Sequence, residues 1–445
     1  MHTRLCPPGP KGHFLIGNLP EFAGDLLGFF TKCAREYGDM VSLRLANMPA
    51  YLLNHPDYIE YVLVTNNRNF KKHTFFWRHV RAVFGNGLLT SEGDLWLRER
   101  RLVQPAFHQE RIAAYAEVMV AYTERMLDTW QDGETHDVHQ DMMRLTSQIA
   151  AKTFFGADVA SEVEEVSAAL GVATEEISVR VRRPFRIPDS IPTPGNLRYR
   201  RAVQSLDALV YTIIRLRRAS TQDSGDLLSM LLRAQDEDGS RMNDQQLRDE
   251  IITLFLAGHE TTALVLSWTW YLLSQHPPAE ATLLAELQAV LGGRAPTIDD
   301  LRRLSYTKMV VMESMRLYPP VYAFGREALQ DCEIGGYQVP AGTTLFMSQW
   351  VMHRDPRYFD HPEEFNPDRW SHDLANRLPK YAYFPFGGGP RLCIGNAFAM
   401  TEAVLLLATI AQKFHLALAP GHPITLHPSV TLRPRHGIRM VLTKR

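Results

Sequence analysis

Two short segments of this 445-residue sequence carry side chains suited to chemistry. GHETT at residues 258–262 places an acid and two hydroxyl groups in the middle of a long apolar stretch. FGGGPRLCIG at residues 386–395 surrounds a single cysteine with glycines. A carboxyl group beside a hydroxyl group can move protons, and a thiolate acts as a nucleophile or as a metal ligand. The rest of the chain must position these two segments.

The glycine-rich segment around Cys393 does not match known phosphate-binding loops. No lysine follows the glycines as in a P-loop, and the spacing differs from G-x-G-x-x-G. A nucleophilic cysteine needs a base, and a histidine distant in sequence stays open for that role. Because an apolar helix is predicted over residues 397–414, its N-terminal amides favour the thiolate form of Cys393. A thiolate in a dry apolar pocket is a good ligand for iron.

The GHETT segment allows two interpretations once a zinc site is set aside. The zinc motif H-E-x-x-H needs a second histidine at position 263, where this chain has alanine. One interpretation is a helix crossing whose polar groups satisfy one another. The other is a local opening of the helix for a small ligand, with a hydroxyl and a carboxyl group that pass protons to it.

A long helix is predicted over residues 244–275, with Asn243 as its N-cap and Pro277 and Pro278 after its end. Such a helix would span ~48 Å. Its apolar composition is compatible with a membrane span, but the central GHETT groups are costly in lipid. The sequence therefore favours a helix buried in a protein core.

Charge and cysteine content exclude several classes of protein. The 48 lysines and arginines nearly balance the 49 acids, so no electrostatic footprint for nucleic acid or an anionic membrane is present. Four widely spaced cysteines form neither a disulfide framework nor a C-x-x-C metal site. The first residues lack the apolar stretch of a signal peptide or membrane anchor. We therefore expect a soluble, cytoplasmic protein without a membrane anchor.

Periodicity predicts a mainly α fold with a small β part. Helical apolar spacing dominates from about residue 90, whereas short strand-like runs separated by glycine turns appear elsewhere. No internal repeat or linker is evident. We expect a single domain over residues 1–445, with its β-rich part at about 38–60, 328–350 and 420–445.

Phe386, Gly389, Arg391, Cys393 and Gly395 match F-x-x-G-x-R-x-C-x-G, which resembles the haem-binding signature of the cytochrome P450 family. This resemblance implies the cytochrome P450 fold, with a long central helix over haem b and the cysteine loop below it. It also implies that Cys393 ligates the haem iron.

Four further segments resemble motifs of the same family, in the expected order. They are PPGP at 7–10, W-x-x-x-R at Trp96 and Arg100, AGHETT at 257–262, and the E-x-x-R pair of Glu313 and Arg316 with Arg369 as a third partner. The resemblance therefore covers most of the chain.

The resemblance implies roles for residues on both sides of the haem. On the cysteine side, Phe386 would limit donors to the sulfur, Gly395 completes the signature, and four residues would hold the haem propionates: Trp96, Arg100, Arg326 and Arg391. On the opposite side, Thr261 would hydrogen-bond bound dioxygen or water, and Glu260 would help to supply protons. Glu313, Arg316 and Arg369 would form a buried network that holds the cysteine loop.

The resemblance also places an apolar pocket on the side of Thr261. Its predicted lining is Phe75, Phe76, Trp77, Val83, Phe84, Leu88, Leu89, Leu254, residues 321–324 and Val430. Such a pocket suits a lipophilic substrate, for example a fatty acid, terpenoid or steroid. The basic segment 179–186 is either an anchor for a substrate carboxylate or a solvated loop.

The implied activity is a monooxygenase that activates O₂ and hydroxylates or epoxidises its substrate. Because no flavin or iron–sulfur segment follows the haem unit, we expect a separate electron donor, a ferredoxin or flavodoxin with its reductase. Arg98 and Arg101 are predicted to face that partner. Two alternatives remain: a haem-thiolate isomerase, dehydratase or peroxygenase that uses peroxides, and a non-catalytic haem sensor or electron carrier.

Overall fold

Helices form most of the chain in this computed structural model, which describes residues 6–72, 74–156, 160–182, 188, 190–219, 225–236 and 239–445. The α-helices are α1 (Leu19–Gly24), α2 (Leu26–Tyr37), α3 (Pro56–Glu60), α4 (Phe75–Phe84), α5 (Gly93–Val103), α6 (Gln109–Leu127), α7 (Val138–Phe155), α8 (Ala160–Arg182), α9 (Pro194–Ala219), α10 (Leu227–Arg233), α11 (Asp244–Gln275), α12 (Pro277–Leu291), α13 (Ser305–Leu317), α14 (Gln349–Met352), α15 (Leu374–Arg377) and α16 (Asn396–Lys413). The predicted mainly α fold is confirmed.

The strands are short. They are β1 (Met40–Leu45), β2 (Met48–Leu53), β3 (Phe70–Lys71), β4 (Thr135–Asp137), β5 (Phe324–Ala328), β6 (Cys332–Ile334), β7 (Tyr337–Val339), β8 (Thr344–Met347), β9 (Phe414–Leu418), β10 (Leu426–Pro428), β11 (Leu432–Pro434) and β12 (Arg439–Lys444). Most lie in the three predicted β-rich segments, whereas β3, β4, β9 and most of β5 lie outside them.

Four small sheets result from these strands. The largest has the order β1-β2-β8-β5-β3, and only β2 and β8 within it are parallel. A second sheet has the order β4-β12-β9, and β10-β11 and β6-β7 are hairpins. The β10-β11 hairpin is important below because its connection reaches the central helix.

The central helix α11 begins and ends where the sequence predicts. The Asn243 side chain caps it by accepting a hydrogen bond from the Gln246 amide at 2.8 Å. The helix is long and apolar enough to cross a membrane, but 83% of its most apolar window is buried inside the protein. A helix that is apolar all round belongs in a core, and Trp268 and Trp270 are both almost completely buried.

Gly258 allows close packing of α11 rather than a break in the helix. A Cβ atom at this position would lie 2.9 Å from the Phe154 ring of α7. α11 keeps helical geometry throughout, so the predicted local opening is not present as a break. The physical reason for the glycine is the close approach of the two helices.

The cysteine loop is shaped by glycine before α16 begins. Gly389 has φ of +64°, and a Cβ atom there would lie 1.9 Å from the Leu63 carbonyl oxygen. Only glycine fits a left-handed conformation with such a close contact. The loop then presents Cys393 three residues before the first residue of α16.

Candidate active site

A cavity of about 1210 Å³ lies between α11 and the cysteine loop. All nine predicted site residues line it: Trp96, Arg100, Glu260, Thr261, Arg326, Phe386, Arg391, Cys393 and Gly395. The predicted apolar lining residues with described side chains also lie on it, with the exception of Val83. Val83 is fully buried in the core, and the side chain of Phe75 lies outside the described part of the chain. The GHETT segment and the cysteine loop thus line the same cavity.

Cys393 opens into this cavity from the loop before α16. Its amide donates a hydrogen bond to the Phe386 carbonyl at 3.1 Å. Burial raises the pKa of the Cys393 thiol, while the Gly395 amide and the charges of Arg100 and Lys72 act in the opposite direction. The surroundings of the free thiol thus oppose the thiolate form that the helix N-terminus alone favours, with desolvation as the largest contribution. A bound metal ion would deprotonate a coordinating thiol outright.

Arg391 holds a fixed position at the cavity wall. Its Nη2 donates to Glu92 Oε2 at 2.7 Å, and its guanidinium lies 4.0 Å from the centre of the Trp96 ring. Its Nη1 is buried and has no hydrogen-bond partner within the described structure. Burial lowers the pKa of Arg391 to about 10. One guanidinium nitrogen is thus available for an additional acceptor.

Arg326 and Arg100 extend this positive wall. Arg326 is 7% exposed and donates to the Gly325 carbonyl at 2.9 Å. Burial, with a contribution from the charge of Arg391, lowers the pKa of Arg326 to about 10. Arg100 donates to the Leu392 carbonyl at 3.0 Å, beside the cysteine.

Lys72 completes the positive wall and was not among the predicted residues. Its Nζ lies 3.2 Å from the Leu89 carbonyl oxygen, which accepts its hydrogen bond. Burial and the neighbouring charges of Arg326 and Arg391 hold its pKa well below the usual range. No sequence pattern points to this residue, because a single lysine outside any motif is normally a solvated charge.

The cationic wall, defined as Lys72, Arg100, Arg326 and Arg391, fits an anionic cofactor. Four cationic side chains line one part of the cavity, and Glu92 neutralises one of them. Buried cations without partners are unfavourable, and carboxylates are their natural acceptors. Haem carries two propionates, so the residues present fit haem. Within the described residues, no cluster of three His, Cys, Asp or Glu side chains could hold a metal ion instead.

Thr261 faces the cavity from α11, on the side opposite the cysteine loop. Its hydroxyl donates to the Ala257 carbonyl at 2.8 Å. That bond uses the hydroxyl proton and leaves the oxygen lone pairs as acceptors towards the cavity. The side chain can therefore hold a water molecule or another donor in the cavity.

Glu260 lines the cavity. Its carboxylate is bound by Arg433 of β11 and by Thr431, which directly precedes β11. Arg433 lies 2.6 Å from Oε1, and the Thr431 hydroxyl also donates to Oε1. Burial acts to raise the pKa of Glu260, but the charge and hydrogen bond of Arg433, the hydroxyl of Thr431 and the charge of His259 together lower it. This arrangement agrees with the first of the two interpretations of the GHETT segment, a helix crossing whose polar groups satisfy one another. An ionised, bonded carboxylate is poorly suited to donate a proton, and the predicted proton-supplying role is revised below.

The network around Glu313 lies behind the cysteine loop. Arg316 makes a bidentate pair with Glu313 at 2.8 and 2.9 Å, and both residues are fully buried. Arg369 Nε and the Asn366 amide donate to Glu313 Oε1, while Trp370 Nε1 donates to Oε2 at 2.9 Å. The predicted contact of Glu313 with Arg369 is present, and the tryptophan was not predicted.

Two bonds connect this network to the start of the cysteine loop. Arg316 donates to the His353 carbonyl, and His353 Nε2 accepts from the Phe384 amide at 2.9 Å. Burial holds the pKa of His353 well below its usual value, so its ring is neutral and can accept. The Tyr383 hydroxyl donates to the Met312 carbonyl of α13 at 2.9 Å.

Two predicted surface features have different surroundings from those expected. Arg98 is bound to Glu99 and to Asp236 at 3.0 Å, so it does not project towards a partner. Arg101 is half exposed and lies 3.8 Å from Asp236. Of the basic segment 179–186, residues 183–186 lie outside the described residues, and Arg180 stacks on the Tyr199 ring.

Comparisons with known proteins agree with this arrangement. The family model described as Cytochrome P450 matches residues 7–440. The chain is 41% identical over 426 residues to cyclooctatin synthase of Streptomyces melanosporofaciens, which covers 95% of this chain and 92% of the relative. It is 40% identical over 388 residues to cyclooctat-9-en-7-ol 5-monooxygenase of the same organism, with coverage of 86% and 84%. Pentalenene oxygenase of Streptomyces avermitilis is 33% identical over 447 residues, with coverage of 100% and 98%.

Solved structures give the same result. The retinoic acid-bound cyanobacterial protein CYP120A1 superposes with a TM-score of 0.90 at 26% identity, covering all of both chains. The haem domain of cytochrome P450DA also has a TM-score of 0.90, at 30% identity, covering 100% of this chain and 99% of that one.

Proposed function

This chain belongs to the cytochrome P450 family of haem-thiolate monooxygenases, and from that membership we propose that it hydroxylates a terpenoid. The observation that carries the proposal is the shape and chemistry of one cavity. Its apolar part lies between Thr261 and the β10-β11 hairpin, and its cationic wall lies beside Cys393. The names of two similar proteins, cyclooctatin synthase and pentalenene oxygenase, support a terpenoid over a fatty acid or steroid.

We propose that Cys393 is the ligand of the haem iron. Bound haem supplies the iron that activates dioxygen, and thiolate ligation favours cleavage of the O–O bond. The Gly395 amide lies within hydrogen-bonding reach of the sulfur and stabilises its anionic form. Phe386 packs in the same loop and restricts the access of water to the sulfur.

The cationic wall would receive the two propionates. Among the described residues, Arg391 Nη1 has no hydrogen-bond partner and Arg326 donates to the Gly325 carbonyl alone. A carboxylate within reach would restore the charged form of Lys72, whose pKa burial lowers. The Trp96 ring keeps the Arg391 guanidinium in place by stacking.

On the opposite side, we assign proton delivery to Thr261 and the water it can hold. Its hydroxyl oxygen accepts from a cavity water and thereby orients that water's second proton. Glu260 keeps its charge through Arg433 and Thr431. We therefore assign Glu260 the role of a fixed anion that positions the β11 strand and the segment before it, in place of the proton donor expected from its motif.

Family members generally receive electrons from separate proteins, and we propose a ferredoxin or flavodoxin with its reductase in the cytoplasm. The direct test supplies a surrogate ferredoxin and reductase, NADPH and ¹⁸O₂ to the haem-loaded protein. Cyclic terpenes and terpene alcohols are compared with fatty acids and steroids by mass spectrometry. We expect one ¹⁸O atom in a terpenoid product. Turnover of fatty acids alone would contradict the terpenoid assignment, and conversion of peroxides without reductant would contradict the monooxygenase.

The assignment of Thr261 has its own test. In Thr261→Ala we expect haem to be retained and NADPH consumption to continue, while product per NADPH decreases about tenfold or more, because general acid–base groups contribute at least that much. Thr261→Ser keeps the hydroxyl group and serves as the matched control. Full coupling in Thr261→Ala would remove Thr261 from proton delivery.

A further inference from the structure

Two serine hydroxyl groups face each other on the wall of the apolar part of the cavity. Ser178 lies on α8, and Ser429 lies in the connection between β10 and β11. Their Oγ atoms are 2.5 Å apart, both residues line the cavity, and each is 7% exposed. Neither residue belongs to a motif of the chain, and neither has a role in the chemistry described above.

The two serine hydroxyl groups have more free acceptor lone pairs than free donor protons. Ser178 Oγ lies 3.1 Å from the Thr174 carbonyl, to which it can donate. Ser429 then donates to Ser178, so both hydroxyl protons are used and lone pairs remain on both oxygens. The opposite direction of the Ser178–Ser429 bond would leave one proton without an acceptor among the residues that the structure describes, which is unfavourable. The pair therefore presents acceptors, and no donor, to the cavity.

The backbone around Ser429 is held in place. Its carbonyl accepts from the Tyr322 hydroxyl at 2.6 Å, and its amide donates to the Thr431 carbonyl at 2.9 Å. The adjoining strand β11 is fixed to α11, because Trp268 Nε1 donates to the Leu432 carbonyl at 3.0 Å. Acceptors held by a rigid backbone lose little entropy when they bind a ligand.

We propose that the Ser178–Ser429 pair accepts a hydrogen bond from a hydroxyl group of the substrate. The enzyme would then act on a terpenoid that already carries an alcohol, in preference to the parent hydrocarbon or an ether. This inference rests on the proposed function, because it names the class of terpenoid. A preceding reaction must install the hydroxyl group, either a cyclisation that ends in capture of water or an earlier hydroxylation.

Thr253 is a second hydroxyl group in the same cavity, and it allows a decisive control. It lies on α11, is 3% exposed, and its Oγ1 has no hydrogen-bond partner within the described structure. A free hydroxyl group both donates and accepts, so it would bind an ether oxygen as well as an alcohol. A group that only accepts, unlike a free hydroxyl group, distinguishes an alcohol from its methyl ether.

The experiment measures equilibrium binding to the haem-loaded protein by calorimetry. The probes are cedrol, cedryl methyl ether and cedrane, which share one terpenoid skeleton. We expect cedrol to bind about fivefold to tenfold more tightly than the ether, as one hydrogen bond provides. In Ser178→Ala/Ser429→Ala this preference should fall to about onefold, while cedrane affinity changes less than about twofold. In Thr253→Val the preference for the alcohol should persist.

The outcomes separate this inference from the proposed function. Equal binding of the three probes to the unmodified protein would overturn the inference and leave the terpenoid assignment standing. Loss of the alcohol preference in Thr253→Val, but not in the double serine variant, would place the hydroxyl group at α11 and also overturn it. Failure of all three probes to bind would contradict both the terpenoid assignment and the inference.

Discussion

Two buried clusters of charge lie on the cysteine side of the molecule, and they are built differently. In the Glu313 network, the carboxylate receives bonds from Arg316, Arg369 and Trp370, and carbonyl groups accept the remaining guanidinium protons of Arg316. In the cationic wall, Arg326 has a single carbonyl partner, and one nitrogen of Arg391 has none within the described structure.

The difference separates a structural cluster from a binding site. In a buried ion network, every charged group has hydrogen-bond and charge partners. Removal of one member is strongly destabilising because it leaves the remaining buried charges unpaired. A cluster with unused donors is unfavourable until a ligand supplies acceptors. We therefore expect the Glu313 network to stabilise the fold and the cationic wall to bind the cofactor.

The largest expected effect comes from Glu313→Ala. It leaves two buried guanidinium groups without a carboxylate and should lower the free energy of unfolding by ~3–5 kcal/mol. Haem incorporation should be lost with it, since the network supports the cysteine loop. Urea denaturation and the haem content after purification measure both effects. The control is Glu364→Gln, whose side chain is exposed. Normal stability of Glu313→Ala would show that the Glu313 network does not stabilise the fold.

Glu402 provides the second test, since it is a buried carboxyl group outside both clusters. Burial raises its pKa to about 8, with the Thr262 hydroxyl acting against the shift. Between pH 4.5 and about 8, the unfolded chain loses this proton and the folded protein keeps it, so stability falls as the pH rises. Glu402→Gln cannot ionise and should avoid this fall, which amounts to on the order of 4 kcal/mol between pH 4.5 and pH 8.

Thermal and urea denaturation across this pH range test the prediction for Glu402. Unmodified protein and variant should have similar stability near pH 4.5 and diverge towards pH 8. Parallel stability curves over the whole range would show that the folded protein ionises Glu402 as readily as the unfolded chain does. Glu402 would then have a partner that stabilises its charged form, as Arg316 does for Glu313.

The smallest expected effect has the opposite sign to that of Glu313. Arg326→Met removes a buried cation and keeps a side chain of similar length, so the haem-free protein should gain on the order of 1–2 kcal/mol. Haem affinity should fall at the same time, because a propionate loses a partner. The control is Arg35→Met at the exposed surface. Destabilisation of the haem-free protein by Arg326→Met would show that Arg326 stabilises the fold, as the Glu313 network does.

Local signals account for much of what the sequence predicts correctly. Asn243 and the two prolines after residue 276 define the ends of α11 because capping and ring sterics act within a few residues. The helix ends therefore depend on short-range geometry. The nine predicted site residues, which line one cavity, were named from the resemblance to the family, because spacing within a motif decides only which side chains of one helix or loop share a face.

The residues that the sequence did not predict reach the site through long-range contacts. Arg433 and Thr431 meet Glu260 from 173 and 171 residues away, and Lys72 approaches the cysteine from the segment before α4. No local pattern indicates such pairings. The desolvation that opposes the thiolate form of Cys393 has a related origin, since it depends on the whole fold and not on the neighbouring helix N-terminus.

The central claim is that the sulfur of Cys393 holds the iron beneath the cavity. X-ray absorption at the iron edge of the haem-loaded protein tests it most directly. We predict one sulfur atom among the iron ligands, lost in Cys393→Ser and retained in the control Cys332→Ser. Iron with only nitrogen and oxygen ligands in the unmodified protein, or a sulfur ligand that persists in Cys393→Ser, would contradict the account.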